Sequence, residues 1–216
     1  LTETQKDVAR VHTLDPTLLD GLWNQFDTRQ VPRDGLILDL SGAVPASAKA
    51  PELPLFYQRS RRADHGKQDL RAGFSLDLWL QLESAAPGQP LLDNRTPDGK
   101  GFALVTAPGN AVELIMNDGR TESRWASDPA TLQPGTLHHV AVIVDGGPNT
   151  ITLVLVFVLR CRKGARQFGW GRFSPNLRGV QGSDTLKLDN RAVKNLRIYG
   201  RYLRTSEAIG AFRAGM

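Results

Sequence analysis

Gly73-Phe74-Ser75-Leu76-Asp77-Leu78-Trp79-Leu80-Gln81-Leu82-Glu83 alternates strictly, with Phe74 and four leucines on one parity and Ser75, Asp77, Trp79, Gln81 and Glu83 on the other. Successive side chains of an extended chain point to opposite faces, so this period of two predicts a strand with one face in a core and the other towards water. Shorter candidates follow at Pro90–Arg95, Gly101–Thr106, Ala111–Met116, Thr121–Ala126, Leu137–Val144, Thr150–Val158, Thr185–Leu188 and Val193–Tyr199. Turn chemistry punctuates them: Pro97-Asp98-Gly99, Pro108-Gly109-Asn110, Asn117-Asp118-Gly119, Pro134-Gly135 and Asp145-Gly146-Gly147-Pro148. Many short strands with regular turns predict an all-β, two-sheet antiparallel β-sandwich of the jelly-roll kind.

Helices are expected only at the two ends. Asp15 is an N-cap, Pro16 takes the first helical position, and Leu18, Leu19, Leu22, Trp23 and Phe26 form one apolar stripe. That stripe fits a helical extension, residues 1–33, packed on a sandwich of residues 34–216; contact with a preceding domain is the alternative. A second short helix is expected from Thr205 to Arg213, capped by Ser or Thr, and Pro45–Pro54 reads as a surface loop.

At 216 residues the chain is large enough to bury a full core, and all-β sandwiches of this size commonly form one domain. Its net charge of +5 rests largely on two short runs, Arg59-Ser60-Arg61-Arg62 and Arg160-Cys161-Arg162-Lys163. Neither forms a basic helix nor interleaves with aromatics, so nucleic acid is not the expected partner. The apolar run Leu153–Leu159 is far shorter than the ~20 residues that cross a bilayer, so no membrane span is expected. Cys161 is the sole cysteine and cannot form an intrachain disulfide. The chain starts at Leu1 without a charged-then-apolar leader, as expected of a mature or excised fragment.

Four stretches carry a family likeness: Asp39-Leu40-Ser41-Gly42, Gly73–Trp79, Gly135-Thr136-Leu137-His138-His139-Val140-Ala141-Val142, and Leu196–Leu203 ahead of the closing helix. In this order the chain resembles the laminin-G-like jelly rolls of the concanavalin A-like superfamily, as appended to bacterial sialidases and other glycoside hydrolases. The resemblance implies a secreted or periplasmic location, glycan as partner, an adjacent catalytic domain or chain, and in many members one structural calcium ion. Asp39 is the candidate oxygen ligand. Lys194 stands where relatives often keep an acidic residue, and an ammonium there would repel the cation.

Catalytic residues are not assigned. Asp77 and Glu83 share a strand but lie about 20 Å apart along it, too far for the ~5.5 Å of a retaining carboxylate pair. His138 and His139 point to opposite faces and cannot ligate one ion side by side, so one packed and one near-surface histidine are expected. His12 and His65 have no partner at metal spacing. Sugar binding calls for an exposed aromatic face beside planar polar groups. Trp170 with Arg172, in a glycine-flanked loop, is the first candidate; Trp125 beside Arg124 and the Asp93-Asn94-Arg95 cluster follow. For each tryptophan the competing reading is a core residue. The functional expectation is a non-catalytic carbohydrate-binding or accessory domain of a secreted glycan-processing enzyme. The alternatives are a structural or protein-interaction jelly roll without sugar binding, and a glycoside hydrolase in its own right.

Overall fold

Phe74, Leu76, Leu78 and Leu80 meet the same side of the core that Val140, Val142 and Val144 reach from a neighbouring strand, and this packing organises the molecule. The computed structural model describes residues 29–56, 73–156 and 166–216. The helix expected from Asp15, both basic runs, His12, His65 and Cys161 lie outside the described residues.

Twelve strands are described: β1 (Leu36–Asp39), β2 (Ser47–Lys49), β3 (Gly73–Gln81), β4 (Pro90–Asp93), β5 (Gly101–Ala107), β6 (Ala111–Asn117), β7 (Glu122–Ala126), β8 (Leu137–Asp145), β9 (Thr150–Val156), β10 (Arg166–Arg172), β11 (Thr185–Leu188) and β12 (Val193–Tyr199). They form two antiparallel six-stranded sheets, the first in the order β1-β12-β3-β8-β9-β10 and the second β2-β11-β4-β5-β6-β7. Because residues directly opposite one another share a face, the register sorts side chains without ambiguity. Leu188, Leu92, Leu104, Leu114 and Trp125 align across the second sheet as an apolar row facing the core. The expected sandwich is present.

Three strands escape the sequence pattern. β2 lies inside the Ala- and Pro-rich stretch read as a loop, and its three residues owe their extended form to pairing with β11. β1, at four residues, is nearly as short and pairs with β12. The segment read as a glycine-flanked loop around Trp170 is β10, an edge strand paired with β9. Its Gly171 answers to packing: a Cβ there would lie 2.4 Å from the Trp125 indole, so only glycine lets the backbone approach so closely.

The outer face of β3 also departs from expectation. It should have been wet, yet every residue from Gly73 to Leu80 is buried. Helix α1 (Thr205–Ala214) packs on this side, with Phe212 stacked on Trp79 at 5.6 Å between ring centroids. Tyr199, Ala141, Ile143, Val154, Leu203 and Ala208 make a second apolar cluster there. The approach to α1 is pinned by Ser75, whose hydroxyl donates to Arg201 O (3.1 Å) and accepts from Leu203 N (2.8 Å). Arg204, instead of a Ser or Thr, takes the N-cap position, and its backbone N–H donates to the Glu207 carboxylate at 2.8 Å. Glu207 also grips Arg201 through two hydrogen bonds, 2.7 and 3.0 Å.

Beneath α1 lies a polar cluster. The row Asp39–Arg197–Asp77 crosses β1, β12 and β3, and Asp77 Oδ1 hydrogen-bonds His139 Nε2 in full burial. Arg197 Nη1 stands 3.6 Å from Asp77 Oδ2. Both histidines of β8 are buried, correcting the expectation of one near the surface. His138 faces the other way, with Nε2 3.1 Å from Gln133 O, and burial holds its pKa below the ordinary value despite the hydrogen bond to that carbonyl.

Candidate glycan-binding face

The register row Ser47–Lys187–Asp93–Ala103–Ile115–Arg124 spans all six strands of the second sheet on its outer face. The adjacent row adds Val105 and Glu113. Ala103, Val105 and Ile115 form a small apolar floor, buried although it faces away from the core. Long charged side chains can cover such a floor with their stems while keeping their heads in water.

Two ion-pair groups frame it. On one side, Arg95 Nε and Nη2 fork onto the two Asp93 oxygens at 3.0 and 2.7 Å, and Arg95 N adds a bond of 2.8 Å to the same carboxylate. Both side chains remain reachable from solvent, at 29% and 22% exposure. Burial pushes the Asp93 carboxyl up, but the Arg95 hydrogen bonds with the Arg95 and Lys187 charges outweigh it and hold the pKa below its ordinary value. On the other side, Arg124 Nε donates to Glu122 Oε1 at 2.7 Å, and its Nη1 stands 3.6 Å from Glu113 Oε2. The Arg124 hydrogen bond lowers the Glu122 pKa against a smaller upward push from burial. Asn117 Nδ2 reaches Glu122 as well, at 3.3 Å. The result is a solvent-reachable surface of alternating carboxylates and guanidiniums over an apolar floor.

The sequence-derived candidates disperse over the molecule. Asp93 and Arg95 stand on this face as a pair. Asn94 turns inward: it is buried, its Oδ1 accepts from Phe102 N at 2.8 Å, and its carbonyl accepts from Ser183 N at 2.6 Å. A Cβ on Gly182 would lie 2.3 Å from that carbonyl, which marks Asn94 as a structural brace between loops. Trp125 is corrected likewise, since its row is the core row and its indole packs against the core and Gly171. Its neighbour Arg124 is the residue that faces outward. Trp170 and Arg172 belong to the other sheet. Trp170 lies opposite Thr152 in register, and the exposed Arg172 reaches Pro148 O at 3.4 Å. Glu113, Glu122 and Lys187 were missed; the only signal for them was their parity with Asp93 and Arg124, which needs the register to be read.

Asp39 does not fit a calcium ion. Its Oδ1 accepts from Ser41 N at 3.0 Å and from the Ser41 hydroxyl, while Arg197 Nε lies 3.7 Å and Arg33 Nη1 4.0 Å away. Two guanidiniums beside one carboxylate oppose a divalent cation, which requires six to eight oxygen ligands. Among the described residues no group of three or more His, Cys, Asp or Glu is placed to hold a metal. Chelation with EDTA is accordingly expected to leave the melting temperature unchanged; a drop reversed by added calcium would show a site built elsewhere. Among the described residues no helix is long and apolar enough to cross a membrane.

A family model described as the concanavalin A-like lectin/glucanases superfamily matches residues 60–207, more than half of the chain. No curated protein matches. Among solved structures, the CBM40 module of the Ruminococcus gnavus IT-sialidase is similar at 14% identity and a TM-score of 0.50, covering 76% of this chain and 96% of that one. A heptameric SAP-like pentraxin from Limulus polyphemus is 10% identical with a TM-score of 0.44, covering 82% of this chain and 80% of that one. Domain 4 of an extracellular arabinanase from Geobacillus stearothermophilus, in complex with arabinotriose, is 17% identical with a TM-score of 0.35, covering 82% and 81% respectively.

Proposed function

Because the chain belongs to the concanavalin A-like lectin/glucanase superfamily, we propose that it is a non-catalytic carbohydrate-binding domain whose glycan lies on the outer face of the second sheet. The observation that carries this reading is the single face holding Asp93–Arg95 and Glu113–Arg124–Glu122 over the floor of Ala103, Val105 and Ile115. Sugars offer hydroxyls that both donate and accept, plus C–H patches. Carboxylates accept from the hydroxyls, guanidiniums donate to them, and the floor receives the C–H surface.

The same chemistry favours binding over hydrolysis. A glycosidase acid needs a carboxyl whose pKa is raised so that it holds a proton near neutral pH. Asp93 and Glu122 are shifted the other way by their arginines. In this proposal the domain accompanies a glycan-cleaving catalytic domain outside the cell and holds it at its substrate.

Arg124→Ala is expected to weaken glycan binding by about 1.5 to 3 kcal/mol, the range for hydrogen bonds to a charged group. Its ion pairs are half exposed and worth only about 0 to 1 kcal/mol of stability, so the fold should hardly notice. Calorimetric titration and thermal unfolding of one protein sample check both halves. Unchanged affinity in a folded variant would favour a structural jelly roll. Trp170→Ala, on the other sheet, is expected to leave affinity unchanged, whereas a loss of about 1 to 3 kcal/mol would move the site to the edge strand β10.

A further inference from the structure

The charges around the floor are self-neutralised. Lys187, Arg95 and Arg124 stand against Asp93, Glu113 and Glu122, so these cations and anions cancel although the whole chain carries +5; Lys49 lies on the same face but at its far edge, on β2. Each guanidinium is committed to a carboxylate before any ligand arrives: Arg95 forks onto Asp93, and Arg124 is held between Glu122 and Glu113. We infer that the face selects neutral, hydroxyl-rich oligosaccharides and discriminates against carboxylated or sulfated ones, an inference that rests on the glycan-binding reading above.

An acidic sugar reaching Arg95 or Arg124 must set its anion beside Asp93, Glu113 or Glu122, or else break an existing pair. Like charges brought together in this way penalise the wrong partner. A hydroxyl meets no such conflict. It can donate to the lone pairs that Asp93 and Glu122 keep beyond their arginine bonds, and accept from guanidinium N–H groups, five per arginine, of which the fork uses only some. Asp93 and Glu122 have lowered pKa values and so stay ionised at neutral pH. The neutral balance therefore persists wherever such a domain would work near pH 7. No aromatic residue stands in these two outer rows, which places the selectivity on polar geometry instead of on stacking.

The test uses the full chain on an array of neutral and acidic oligosaccharides containing matched pairs, such as hexagalacturonate with its methyl ester and sialyllactose with lactose. Neutral members should bind, with affinity almost unchanged between low and high sodium chloride, since no net charge is screened. A preference for the acidic member of a pair, lost at high salt, overturns the inference and leaves glycan binding standing. Binding to no sugar on the array overturns both. Glu122→Gln supplies the second arm: with one counter-charge removed from Arg124, the ratio of acidic to neutral affinity within each matched pair should rise about tenfold. A folded Glu122→Gln protein with no gain in that ratio shows that the paired carboxylates do not set the selectivity.

Discussion

Asp77→Ala is expected to cost about 3 to 5 kcal/mol of folding stability, the loss seen when one partner of a buried ion pair is deleted. Asp77 is fully buried on the outer face of β3, where its Oδ1 binds His139 Nε2 and its Oδ2 faces Arg197 Nη1. Arg197 is itself buried, and its other carboxylate, Asp39, lies 3.7 Å from Nε at the edge of the cluster. Removing Asp77 strands a guanidinium beneath α1. Several atoms there already lack a hydrogen-bond partner, including Trp79 Nε1 and Arg197 Nε, and the nearest unpaired acceptor, Asn195 Oδ1, is a neutral amide that cannot replace the lost charge. Urea unfolding monitored at Trp79 and by far-ultraviolet dichroism gives the number. A loss below about 1 kcal/mol would mean that Asp77 is not the charge balancing Arg197.

Leu78→Ala should cost about 2 to 5 kcal/mol, through lost burial and the cavity left behind. Leu78 has no solvent exposure, and its register partners on the two flanking strands are Val140 and Leu196, both fully buried as well. With the second sheet packed above, the surrounding side chains have little room to collapse into the gap. A change under about half a kcal/mol would show that the strand runs in the other register, with Leu78 facing outward.

These two variants lie on opposite faces of one strand, and they mark what the sequence conveyed. The leucine parity of β3 was readable because burial on one face imposes a period of two, and the boundaries of β11, buried at alternate residues, emerged as expected for the same reason. The polar parity was misread. Ser75, Asp77 and Trp79 look like a solvent face until α1 covers them, and a helix ten residues long, docking from far along the chain, leaves no mark on the strand it covers. Edge strands β1, β2 and β10 were illegible because their conformation is imposed by a partner. The candidate site was half legible. Asp93 and Arg95 could be found as a polar cluster, whereas Glu113, Glu122 and Lys187 join them only through pairings across β11, β4, β5, β6 and β7. Trp125 misled for the converse reason: an aromatic beside an arginine on an edge strand can face either way, and one residue of register decides which.

The pairing of β1 with β12 and of β2 with β11 has a consequence for how the chain is made. β3 and β4 also wait for these late strands, since β12 lies beside β3 and β11 beside β4. During synthesis, about 5 to 20 residues per second leave the ribosome, N-terminal residues first. The hairpins from β5 to β9 can close on neighbours already present, but one flank of the second sheet stays open until Leu188 has emerged, and one flank of the first until Tyr199 has. Contacts so distant in sequence slow the final closure, and meanwhile β3 and β4 each expose an unpaired edge to any other extended segment nearby. A slower translation rate lengthens this exposure and should therefore lower the soluble yield of the chain.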